Sequence, residues 1–258
     1  HADDTLTISG GTINITRSYE GLEGAAVNIT GGNISLVASD DGINAAGGSD
    51  QSGFGGFFMD QFGGTGEYFI NISGGIINID ASGDGIDSNG DINISGGELY
   101  ISGPTSNGDG AIDCDGNATI TGGIVVAAGS SGMAENFGNA STQGSMLVNL
   151  SGSAGQTITL KDANGNVLVS YTPTKSYGCA VISAPGIVQG GTYTVTAGSG
   201  STTVTMTSLI YGGMGGMGGM GGMGGMGSQQ PPQGGGNMGG QQPPQGGGNM
   251  GGRPDGRG

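Results

Sequence analysis

The chain has 258 residues, 64 of them glycine, with a formal charge of −15 and a pI near 4.1. Of its 20 acidic residues, 18 precede residue 141, and Arg17 is the single base in that stretch. Such a surface repels a phosphate backbone and excludes nucleic acid as the natural partner, and no apolar run approaches the roughly 18 residues of a membrane-spanning helix.

The first residues enter in the middle of a pattern. His1-Ala2-Asp3-Asp4-Thr5-Leu6 aligns with Asp87-Ser88-Asn89-Gly90-Asp91-Ile92, so His1 reads as the tail of an earlier acidic turn and the first turn as truncated. A mature terminus left by processing is the other reading. The pattern itself is a Gly-Gly corner, at Gly10-Gly11, Gly31-Gly32, Gly74-Gly75, Gly96-Gly97 and Gly122-Gly123. The steps of 21, 43, 22 and 26 residues suit a β-solenoid.

Stacking the copies gives four apolar columns. They are Leu6, Val27, Ile70, Ile92, Ala118; Ile8, Ile29, Ile72, Ile94, Ile120; Ile13, Ile34, Ile77, Leu99, Val125; and Ile15, Leu36, Ile79, Ile101, Ala127. Neighbouring columns on either side of a corner lie two residues apart and share one strand face. Thr7, Asn28, Asn71, Asn93 and Thr119 between them face outward. The expected fold is all-β, a single-stranded parallel β-helix over residues 1–145.

A third side carries acids. Glu20 and Glu23 flank Leu22, Asp40, Asp41 and Asn44 flank Ile43, Asp84 and Asp87 flank Ile86, and Asp109 and Asp113 flank Ile112. The apolar residues anchor inward and the acids face out. Rungs about 4.8 Å apart would set carboxylates against one another with no base nearby. Two calcium–oxygen bonds of about 2.3–2.6 Å span roughly that spacing, so the nine polar residues are candidate calcium ligands. A solvated acidic face is the alternative.

Residues 46–68 interrupt the repeat with Phe54, Phe57, Phe58 and Phe62 among glycines, read as a loop folded back over the solenoid flank. Residues 146–211 read as short strands, at 157–160, 167–171, 180–183 and 192–196, with a hairpin turn at Asp162-Ala163-Asn164-Gly165-Asn166. They continue or cap the solenoid. Residues 212–258, Gly-Gly-Met repeats followed by a Gln/Pro/Gly/Asn repeat, lack any apolar periodicity and are read as a disordered tail. Cys114 and Cys179 form either a disulfide or two buried thiols.

The rungs at 6–11, 27–41 and 70–87, with Ser170-Tyr171-Thr172-Pro173-Thr174-Lys175-Ser176-Tyr177-Gly178 and Ser183-Ala184-Pro185-Gly186-Ile187, resemble a bacterial, clostridial-type family of carbohydrate-binding parallel β-helix domains. The resemblance covers residues 1 to 200 or so. It implies a right-handed β-helix, bound calcium, extracellular or cell-surface location and affinity for acidic plant cell-wall polysaccharide such as polygalacturonate. The architecture is similar to that of pectate lyases. The expected function is therefore a non-catalytic, calcium-dependent binding module, monomeric, with Arg17, Tyr19 and Tyr100 as candidate sugar contacts. The competing readings are a calcium-stabilised adhesin and a polysaccharide lyase. A lyase needs a base beside the metal, and Arg17, Lys161 and Lys175 are the bases in reach of the repeats and cap.

Overall fold

A computed structural model describes residues 1–46 and 68–213. The four insertion phenylalanines and the Met-rich tail from residue 214 lie outside the described residues. Every regular element within them is a β-strand, in three sheets with no closed barrel.

The first sheet begins with β1 (Thr5–Ser18), β3 (Ala26–Ala38), β5 (Phe69–Ala81), β7 (Asp91–Ser102) and β10 (Ile124–Gly129), each parallel to the next. Short β9 (Ala118–Ile120) also pairs with β7. The four apolar columns are the observed registers: Ile8 faces Ile29, Ile29 faces Ile72, Ile72 faces Ile94, and Ile94 faces Ile120. The 43-residue step adds no rung, because Ile34 on β3 pairs directly with Ile77 on β5. The column residues Ile29, Ile34, Ile70, Ile77, Ile92 and Ile101 are fully buried at 0 % exposure, so each strand hides one face against its neighbours' like faces.

The corners follow from glycine. Gly11, Gly32, Gly75, Gly97 and Gly123 have φ between 84° and 110°, a region that costs a side chain about 1–2 kcal/mol. The second sheet is parallel too: β2 (Leu22–Glu23), β4 (Ile43–Ala45), β6 (Ile86–Ser88) and β8 (Ile112–Cys114). Leu22, Ile43, Ile86 and Ile112 pair in register and are buried, as inward anchors should be.

Beyond β10 the direction reverses. β14 (Tyr177–Ser183) pairs antiparallel with β10, β11 (Ser145–Gly152) pairs antiparallel with β14, and β17 (Ile210–Tyr211) closes that edge. Phe137, 2 % exposed, packs into the rung core together with Val181 from this end. A separate antiparallel sheet, β13-β12-β15-β16, comprises β13 (Val167–Tyr171), β12 (Ile158–Lys161), β15 (Thr192–Ala197) and β16 (Gly200–Thr205). The strand β16 was hidden from the sequence by its short, Ser/Thr-rich alternation. The 162–166 turn is present, with Gly165 N donating to Asp162 O at 3.0 Å. A second core joins this sheet to the first: Val126, Ala128, Met146 and Ile182 pack with Ile158, Leu160, Tyr193 and Val195.

The residues after β13 reach back over the rungs. Lys175 Nζ lies 3.0 Å from Asp80 Oδ1 and also donates to Ala81 O, while Thr174 Oγ1 donates to Asp80 Oδ2 at 2.6 Å. The two cysteines are free thiols, so the disulfide alternative falls. Cys114 Sγ donates to Gly90 O and Cys179 Sγ to Ser130 O, each at 3.0 Å, so both sulfur atoms are engaged with backbone rather than with each other.

Candidate metal and glycan site

The acidic turns stack because glycine lets them. Gly21 N donates to Asp41 O, Gly42 N to Asp84 O and Gly85 N to Gly110 O, a ladder running through the turns themselves. A Cβ on Gly42 would overlap the Gly85 carbonyl oxygen, and one on Gly85 would overlap Ala111 O. The residue after the aspartate must therefore be glycine for rungs to approach closely enough to share their carboxylates.

The stack brings together Asp41, Asp84 and Asp87, whose carboxylate oxygens lie within 4.8 Å of one another. Asp41 Oδ1 accepts from Asp84 N at 2.7 Å, and Asp84 Oδ1 from Gly110 N at 2.5 Å. All three are half-buried rather than fully outward, which differs from the simple alternation. Burial first, and repulsion from neighbouring carboxylates second, push their carboxyls up to about 7 for Asp41 and about 8 for Asp84 and Asp87. Backbone N–H donation to Asp41 and Asp84 opposes the shift without cancelling it. Among the described residues, no cationic side chain lowers any of the three.

Asn44 lies next to the cluster. It is the register partner of Asp87 on the adjacent rung and is 6 % exposed. Its Nδ2 donates to Glu20 Oε2 at 3.0 Å on the preceding rung. Its Oδ1 is buried with no hydrogen-bond partner. With the amide nitrogen given to Glu20, the oxygen keeps its acceptor capacity on the rung that pairs with Asp87. An orphaned buried acceptor costs about 1–3 kcal/mol, and a cation would satisfy it.

The remaining predicted ligands frame this centre without joining it. Asp40, Asp109 and Asp113 act on it through charge, Asp40 raising Asp41 and the other two raising both Asp41 and Asp84. Asp109 Oδ2 accepts from Ser106, and Asp113 Oδ1 from Cys114 N. Glu23 takes His1 Nδ1 at 2.7 Å, at the far end of the column. Sequence reasoning missed Asp115 and Glu135. Glu135 is raised by burial and by Asp113 and Asp115, and it arrives from the loop after β10, where no repeat exists to reveal it.

The set is all oxygen: three carboxylates and one neutral amide. That suits a hard cation taking six to eight oxygens at about 2.3–2.6 Å, and carboxylate oxygens within 4.8 Å of one another are close enough to share one such ion.

Of the predicted sugar contacts, Tyr19 adjoins the acidic turns, its carbonyl accepting from Asp40 N at 3.0 Å, while Arg17 and Tyr100 sit on β1 and β7. Arg17 and Tyr19 are exposed at the end of β1, and Arg17 sits where the β1–β3 register slips between Ile15 and Ser18. Tyr100 lies three strands along the stack and its ring stacks on Tyr171, centroids 5.3 Å apart at 24°, with its hydroxyl on Glu98 Oε2. One face of that ring is thus already covered.

Residues 1–216 match the family model described as "Carbohydrate-binding domain-containing protein". No curated protein and no solved structure matches the chain. The match covers well over half of the sequence, and the chain belongs to this carbohydrate-binding domain family.

Proposed function

We propose that this member of the carbohydrate-binding domain family is an extracellular bacterial module that binds an acidic polysaccharide, with calcium held by its acidic turns, and that it does not cleave its ligand. The carrying observation is the Asp41–Asp84–Asp87 cluster with the orphaned Asn44 oxygen beside it. In this reading the parallel rungs wind as a right-handed single-stranded β-helix, and the residues from 146 onward cap it. Calcium bridges facing carboxylates of adjacent turns, and where coordination remains open it bridges to uronate carboxylates of the glycan. The polysaccharide expected is polygalacturonate or a pectin-like chain.

Two features speak against a lyase. Lys175 is paired with Asp80 and bonded to Ala81 O, so its ammonium is held away from proton transfer. Arg17, on β1, belongs to a rung whose third-side carboxylates are Glu20 and Glu23 rather than the cluster. Calorimetric titration with polygalacturonate, with calcium and in chelator, tests the proposal. Binding that is much tighter with calcium than in chelator, with no unsaturated product, is expected. Full affinity in chelator would remove the calcium bridge, and product absorbance would make the protein a lyase.

A further inference from the structure

The cap sheet carries a face that the acidic turns do not explain. On β13-β12-β15-β16, one row runs Ser170, Thr159, Thr196, Ser201, each residue paired with the next across the strands. In the next row Lys161 pairs with Thr194. These side chains lie on the solvent side, opposite Leu160 and Val195, which are buried at 0 % exposure. Beyond Glu135, Asp162 is the only acidic residue among those described. Its Oδ1 already accepts from Asn164 N at 2.9 Å and from Asn166 N at 2.8 Å. On a chain of charge −15 this face is polar, free of carboxylates in its rows and marked by one exposed ammonium, Lys161.

We infer that this face is a second glycan-docking surface, taking a uronate-bearing polysaccharide laid across the four strands without a bridging cation. The inference rests on the carbohydrate-binding reading above. Strands about 4.8 Å apart repeat the hydroxyls at a fixed pitch, which matches a regular polymer better than a compact ligand. Threonine is stiff at χ1, so its hydroxyls are ordered before binding, and ordering costs little on association. Lys161 supplies the positive charge that a carboxylate meets on arrival. Contact with a sheet face of this kind does not depend on the acidic turns.

The test is affinity of the full chain for polygalacturonate in excess chelator, below the chelated protein's melting temperature. Wild type is expected to keep a weak, salt-sensitive binding there. Lys161→Glu with Thr196→Glu should lower that residual affinity at least tenfold while the melting temperature and calcium affinity stay unchanged. Lys161→Gln alone should lower it less. Residual binding equal in wild type and both variants overturns the inference and leaves the calcium-dependent site standing. Absence of residual binding in wild type overturns it as well, and only loss of binding in calcium too would sink the carbohydrate reading itself.

Discussion

Asp41, Asp84 and Asp87 hold their protons far above the ordinary carboxyl value of 3.8, at about 7 to 8, because burial and mutual repulsion disfavour the charged forms. The folded, metal-free protein therefore binds protons that the unfolded chain has released between those values. Stability is fully present below the unfolded value and is lost as pH rises through the folded one. In chelator the melting temperature should fall steadily from about pH 4 to about pH 8, and Asp84→Asn should flatten the slope. A melt that rises with pH over that window would show the cluster to be ionised without a cation. Calcium should reverse the trend and release protons at neutral pH, readable as buffer-dependent heat. Asn44→Ala removes the orphaned oxygen and should weaken calcium about tenfold or more, with the metal-free melt changed little, because loss of the Asn44–Glu20 bond offsets relief of the orphaned oxygen. The aspartates of this centre were legible in the sequence from their spacing. The role of the Asn44 amide was not, because it depends on which neighbour takes its nitrogen.

At the scale of the element, two kinds of glycine stack the strands. Corner glycines are needed for their φ, turn glycines for closeness. Gly11 has φ +88°, and a Cβ placed there would meet nothing within 4 Å, so Gly11→Ala should cost only the backbone term, about 1 kcal/mol. Gly75 has φ +96° and its Cβ would meet Gly32 O at 3.0 Å, so Gly75→Ala should cost more, about 2 kcal/mol. Gly42 has an ordinary φ but no room, and Gly42→Ala should cost the most, about 3 kcal/mol or above. Denaturant melts of the three variants check the order, and a Gly42→Ala protein as stable as Gly11→Ala would disprove the stacking argument. Outside the core, Asn71 Nδ2 donates to Asn28 Oδ1 and Asn93 Nδ2 to Asn71 Oδ1, both at 3.1 Å. The outward asparagines thus form a ladder of their own. The apolar columns were readable to the residue because a period near 22 repeats them five times. Four cap strands, β12 to β15, were readable too, from their short apolar alternation, whereas β11 and β16 were not, since each occurs once and finds its partners only through tertiary pairing.

For the whole molecule the question is whether rungs and cap stand as one cooperative unit. Three connections tie them: the shared first sheet running from β10 into β14, the Val126–Met146–Leu160 core, and the Asp80–Lys175–Thr174 contact on the rung flank. The segment at and just after β17 takes part as well, since Asn136 Nδ2 donates to Tyr211 O and Gly212 O. The boundary read from composition at residue 212 therefore falls inside this contact, and truncation after Gly213 should leave melting and calcium binding unchanged, whereas truncation before Ile210 removes β17 and should lower the melt. The chain has no tryptophan, so the Tyr100–Tyr171 stack offers a tyrosine signal at the junction while far-ultraviolet dichroism reports the strands. If the molecule is one unit, chelator should shift both signals to a single lower midpoint, by an amount set by the calcium concentration over its Kd, about 2.7 kcal/mol at a hundredfold excess. Lys175→Met should lower that common midpoint slightly, since a partly exposed pair contributes about 1 kcal/mol at most. Two separated midpoints in chelator would show instead that the metal holds only the rungs and that the cap folds without them.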